Sequence, residues 1–155
     1  MNYFAKINRQ EIAKILPYSG RFMLLDACSL IEKSIHSIGS IDIIPDKWFF
    51  DGHFANFPVM PGVIIIEALA QTAALTVLYA SEKLKGKPVY FVKINHTVFK
   101  KPVIPTQSKY TLFLESKLAS QKRMFMTFDC KAYSKKTEGK VTVHTVASIT
   151  ATAGQ

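Results

Sequence analysis

The chain has 155 residues, 48% hydrophobic, 12% aromatic and 20% charged, which is enough to bury one sizeable core and too short for two domains of ordinary size. A single domain spanning 1–155 is expected, and disordered or collagen-like classes are excluded. The net charge of +9, from 20 basic and 11 acidic residues, favours anionic partners, with nucleic acid, anionic lipid and an acidic carrier protein all admissible. Because the basic residues are scattered and no nucleic-acid motif accompanies them, no nucleic-acid partner is expected.

Cys28 and Cys130 sit in no metal-binding or redox spacing and are too few for a disulfide scaffold, so both are expected as reduced, inert thiols. Met1 to Gln10 lacks the apolar run of a signal peptide, which points to the cytoplasm. Val59 to Ala80 approaches the roughly 20 residues needed to span a bilayer, but Pro61, Gly62, Glu67 and Gln71 interrupt it. A mid-span carboxylate is costly in lipid, whereas a helix that is apolar all round suits the centre of a core. No membrane span is expected.

In chain order, Asn8 is placed to cap a short helix through Gln10–Ile15, which Leu16-Pro17 ends because the residue before proline disfavours helical backbone. Phe22 to Ile44 mixes β-branched residues with apolar alternation and predicts strands. Pro45 to Gly62 holds three prolines and two glycines among four phenylalanines and a tryptophan; so apolar a loop should be packed down. The single long helix opens at Pro61 and runs through Glu67 and Gln71 towards Lys83–Gly86, where basic residues and a glycine suit a C-terminus. Four alanines between Ala68 and Ala74 permit close approach to a sheet. Four β-rich runs follow, Val89–Lys100, Ser108–Lys117, Arg123–Tyr133 and Lys140–Ala151. One apolar helix with a run of antiparallel-type strands predicts an α+β domain in which a curved sheet wraps the helix.

His53 lies among aromatics in Phe49-Phe50-Asp51-Gly52-His53-Phe54, a setting that suits a packed structural histidine as well as a catalyst. Glu67 is a carboxylate inside an apolar helix, where it must be paired, protonated, solvated or used. Pro61-Gly62 adds free amides at a helix start, which carry partial positive charge and can hold an oxyanion. A base, an acid and an oxyanion site within fifteen residues is the constellation required to take a proton beside a carbonyl and then expel a hydroxyl. Gln71, one turn after Glu67, shares its face and is placed to orient it.

Gly52-His53-Phe54, Pro58-Val59-Met60-Pro61-Gly62-Val63 and Glu67-Ala68-Leu69-Ala70-Gln71 together resemble the 3-hydroxyacyl-[acyl-carrier-protein] dehydratases of type II fatty acid synthesis. Leu16-Pro17, Phe22–Asp26, Tyr90-Phe91 and Phe99–Pro105 fall where that family has like-patterned segments, so the resemblance covers most of the chain. It implies a hot-dog fold, a long central helix wrapped by antiparallel sheet, built as homodimers that can form hexamers as trimers of dimers. It implies a hydro-lyase in fatty acid or related lipid metabolism that converts a 3-hydroxyacyl chain on acyl-carrier protein to the trans-2-enoyl chain. His53 and Glu67 would be the catalytic pair, from opposite subunits, with Gly62, Val63, Val59, Gln71, Tyr90 and Phe91 at the oxyanion and substrate site. No cofactor or metal is implied. Glutamate at position 67, rather than aspartate, favours the non-isomerising branch.

Three positions depart from the family pattern: Tyr18 replaces a histidine, Arg21 a proline, and Ala55 a proline. They bear on the entrance to the site and on the acyl chain accepted. A hot-dog acyl thioesterase, hydrolysing the thioester with a carboxylate-activated water, and a non-catalytic acyl-thioester binding protein are the alternatives.

Overall fold

A computed structural model describes residues 4–154. Strand β1 (Ala5–Asn8) leads into a one-turn helix α1 (Arg9–Ile12). Asn8 caps that helix by accepting from the amides of Gln10 and Glu11, and Glu11 returns the bond to the Asn8 amide. Strands β2 (Ala27–Glu32) and β3 (His36–Ile43) form a hairpin, and helix α2 (Gly62–Leu78) follows. Strands β4 (Val89–Phe99), β5 (Tyr110–Lys122), β6 (Phe125–Lys135) and β7 (Val141–Ala153) complete one antiparallel sheet of order β1-β2-β3-β5-β6-β7-β4.

The sheet wraps α2, which packs chiefly on β3 and β5. Alternation does the work on the inner face. In β3, Ser37, Gly39, Ile41 and Ile43 point inward and are buried, while their neighbours are half-exposed. Leu112, Leu114, Phe128 and Ile149 meet Leu69, Leu75 and Leu78 of the helix, all at 1% exposure or less. The closest approach is at Gly39, where a Cβ would collide with Thr72 Oγ1. Two polar side chains in this dry layer bond to the helix backbone: Ser37 Oγ donates to the Thr72 carbonyl and Ser116 Oγ to that of Leu69, each at 3.0 Å.

The four carboxyl-terminal strands lie where their patterns predict. Cys28 and Cys130 are buried free thiols, both held up to about 12 chiefly by burial. The apolar loop packs only in part, with Phe49, Phe50 and Met60 buried but Phe54 and Phe57 exposed. The helix stops at Leu78, short of the Lys83–Gly86 end that charge and glycine predict. After it the amides of Ala80 and Ser81 bond three residues back, to Val77 and Leu78, and turns run on to Gly86 in the left-handed region, whose amide bonds Ile15. The charged cluster thus sits in a turn that bonds to Ile15, beyond the end of α1, and does not cap the helix itself. Strand β1 has no counterpart among the expected elements; four residues are too few to show periodicity.

On the far side from β3, α2 keeps Val63, Ile64, Glu67, Ala70 and Val77 less than fully buried. The adjacent strand β4 is one edge of the sheet, with Tyr90, Phe91, Val92, Ile94, Val98 and Phe99 exposed on both of its faces.

Candidate active site

Four of the expected site residues converge. His53, Val59, Gly62 and Val63 line one cavity of about 440 Å³, closed on its other side by Phe99, Lys100, Lys101, Pro102 and Val103. The loop that presents His53 folds back on itself: the Val59 amide donates to the His53 carbonyl at 2.7 Å, and His53 Nδ1 lies 2.8 Å from the Val59 carbonyl oxygen. A carbonyl only accepts, so Nδ1 carries a proton, and in the neutral tautomer this leaves the lone pair on Nε2. Phe54 stacks on the imidazole at 4.2 Å between centroids, which limits its tilt.

Pro61 precedes the first turn of α2 with φ −57°, and no side chain caps that helix start. Gly62 and Val63 therefore bring their amides to the cavity uncapped, at the positive end of the helix dipole. Gly62 brings the backbone close to Phe99: a Cβ there would lie 2.6 Å from that ring, which would have to move. Met60 is tied across the cavity floor by its amide to the Val103 carbonyl at 2.8 Å.

Glu67 lies one and a half turns further along α2, half-buried, and does not line the His53 cavity. It has partners of its own. Gln71 Nε2 donates to Glu67 Oε1 at 3.1 Å, and Gln71, with no exposed surface, is anchored by donating to the Phe22 carbonyl at 2.7 Å and accepting from the Leu24 amide at 3.1 Å. The predicted Gln71–Glu67 contact is thus present. Tyr18 also faces Glu67; burial first, and then the charge and hydrogen bond of that carboxylate, push its phenol above its ordinary range. Tyr90 and Phe91 lie on the exposed edge strand, Phe91 lining a small cleft with Tyr18, Ala70, Val89 and Ala151. Within one chain, then, His53 and the Gly62–Val63 helix start are together, and Glu67 faces outward beside β4.

Sequence reasoning passed over two contributors: the Phe99–Val103 wall, noted only as a like-patterned segment, and Tyr18 as a neighbour of Glu67, noted only as a departure. Their spacing from the motif, about forty residues on either side, leaves no local signal. Among the described residues no group of three or more His, Cys, Asp or Glu is placed to hold a metal, and no helix is long and apolar enough to cross a membrane.

A helix wrapped in antiparallel sheet, with a histidine loop and an uncapped helix start on one cavity, defines a hot-dog protein of the thioester-handling class. The chain belongs to the FabA-like domain family, whose family model matches residues 16–144. It is 44% identical over 105 residues to the 3-hydroxyacyl-[acyl-carrier-protein] dehydratase FabZ of Clostridium botulinum, covering 68% of this chain and 71% of that one. Among solved structures it resembles the dehydratase heterocomplex ApeI:P of Xenorhabdus doucetiae, with TM-score 0.71, 16% identity and 93% and 91% of the two chains covered. It also resembles a hypothetical thioesterase with coenzyme A from Streptococcus pneumoniae, with TM-score 0.57, 12% identity and coverage of 79% and 80%. At these identities the two structures bear on the fold alone.

Proposed function

We propose that this protein dehydrates 3-hydroxyacyl chains on acyl-carrier protein to trans-2-enoyl chains, as a cytoplasmic homodimer of single-domain subunits. One observation carries the reading: the Nδ1-protonated His53 and the uncapped Gly62 and Val63 amides share one cavity. In that arrangement the amides hold the thioester oxygen, and charge developing there as the C2 proton leaves is stabilised. His53 Nε2 takes that proton. The electrons of the C2–H bond form the C2–C3 double bond while the C3–O bond breaks, and the hydroxyl leaves as water with a proton from a carboxylic acid.

Glu67 is that acid, supplied by the partner subunit. Gln71 donates to its Oε1 and Tyr18 also bonds to it, and the two hold the carboxyl group in place. The exposed apolar edge strand β4 and the outward stripe of α2 give a second copy a face to cover, and that face carries Glu67. Lys100 and Lys101 at the cavity wall suit an acidic carrier.

The test is a 3-hydroxyacyl chain on acyl-carrier protein, followed by mass spectrometry. Loss of one water from a chain still attached to the carrier supports dehydration; free carrier thiol and free acid would assign a thioesterase, and unchanged substrate that still binds would assign a binding protein.

A further inference from the structure

His144, near the start of β7, has no part in the chemistry above, yet it is 6% exposed with both ring nitrogens and its carbonyl engaged. Its ring Nδ1 lies 3.3 Å from the Lys101 carbonyl oxygen and 3.2 Å from that of Pro102. Both are acceptors, so Nδ1 carries the proton and is shared between them. Nε2, 2.9 Å from Ser134 Oγ, accepts the serine proton. The backbone carbonyl of His144 accepts from the Lys100 and Lys101 amides at 2.7 and 3.2 Å. One residue thus clasps the Lys100–Pro102 strap from both its amide and its carbonyl side.

That strap is the wall of the His53 cavity, and its continuation leads to the oxyanion site. Val103, fully buried, bonds the Met60 amide, and Met60 precedes Pro61 and the Gly62 amide. On the other side, Phe99 pairs with Thr145, the neighbour of His144, and its ring lies against Gly62. Both routes from His144 end at the helix start.

We propose that His144 is a positioning residue that fixes the Lys100–Val103 strap, and through it the Gly62 and Val63 amides, for the reaction. The inference rests on the dehydratase reading given above. Its ring touches no reacting atom; it acts through backbone groups that must lie within fractions of an ångström of the developing oxyanion. Binding of the acyl chain, spread along apolar walls, depends on it less.

Asparagine and glutamine separate the two ring nitrogens, since asparagine places its amide nitrogen where Nδ1 sits and glutamine reaches only towards Nε2. In the full-length protein, with a 3-hydroxyacyl thioester of N-acetylcysteamine, His144→Ala and His144→Gln should lower kcat about tenfold with KM within about twofold, while His144→Asn stays within about threefold of wild type. Hydrogen exchange of the Lys100–Val103 segment should quicken in the Ala and Gln variants and remain slow in Asn. Wild-type kcat in His144→Ala, a His144→Asn as slow as His144→Ala, or a rise in KM without loss of kcat would each overturn the assignment. Should the wild type form no enoyl product, the dehydratase reading fails, and unchanged strap exchange in His144→Ala would refute the clasp independently.

Discussion

His53 Nδ1 is committed to the Val59 carbonyl at 2.8 Å, so the loop fixes both the tautomer and the aim of Nε2. The imidazole is half-exposed and contributes little packing. His53→Ala should therefore lose about 10²- to 10⁴-fold in kcat while unfolding within about 1 kcal/mol of wild type. A urea melt alongside the enoyl assay checks both; activity loss that merely follows instability would reduce His53 to a packed residue.

At position 62 the predicted effect is local. A Gly62→Ala methyl meets the far edge of the Phe99 ring at 2.6 Å, and that ring is exposed and free to swing. Stability should change by no more than about 1 kcal/mol, but the methyl then occupies cavity space beside the uncapped amides, and kcat should fall at least about tenfold. Phe99→Ala in the same background should recover stability without recovering activity. Recovery of activity would mean that displacement of the ring, and not intrusion at the oxyanion site, was the cause.

Much of this was legible in residues 52–71. The Gly-His-Phe, Pro-Gly and Glu-Ala-Leu-Ala-Gln elements lie within twenty residues, where helix geometry and turn chemistry fix relative positions, so the Gln71–Glu67 contact and the uncapped helix start follow from spacing. The strands from Val89 onward were legible as β-rich runs between turn-forming segments; period-two burial follows in β6, β7 and the first half of β5, but not in β4, which is exposed on both faces. What the sequence hid is long-range. The His144 clasp joins residues more than forty apart, and the Tyr18–Glu67 pairing depends on how the segment before β2 crosses α2. The early end of α2 was hidden too, because the Lys83–Gly86 signals also suit a turn.

Gln71 is buried and makes three side-chain bonds, to Glu67, Phe22 and Leu24. Gln71→Leu keeps its volume but strands the Leu24 amide and the Phe22 carbonyl, which should cost about 2–4 kcal/mol and lower Tm by roughly 5–15 °C. Differential scanning calorimetry reads this directly. A Tm within about 2 °C of wild type would show that water replaces Gln71 and that the residue does not anchor Glu67.

His144 also sets a pH dependence. Burial holds its imidazole below the ordinary 6.5, with the charge of Lys101 in the same direction and the bonds to the Lys101 and Pro102 carbonyls opposing. The unfolded chain then binds the proton more readily than the folded one. The neutral ring's contribution is fully present above the unfolded value and is lost as pH falls below it towards the folded value. His144→Asn should flatten the pH dependence of stability on the acid side of about pH 6.5 and leave the pH dependence above it unchanged. Parallel curves for the two proteins in urea titrations across that range would contradict the burial of a neutral ring.

In the proposed dimer each site joins His53 of one subunit to Glu67 of the other. His53→Ala and Glu67→Ala homodimers should each be nearly inactive. Unfolded and refolded together in equal amounts, they should give mixed dimers in about half of the population, each with one intact site and one doubly defective site, and roughly a quarter of wild-type activity should return. Exchange is verified by native mass spectrometry of differently tagged subunits. With exchange confirmed, no return of activity would contradict the shared site and leave His53 and Glu67 to act within one chain or not as a pair.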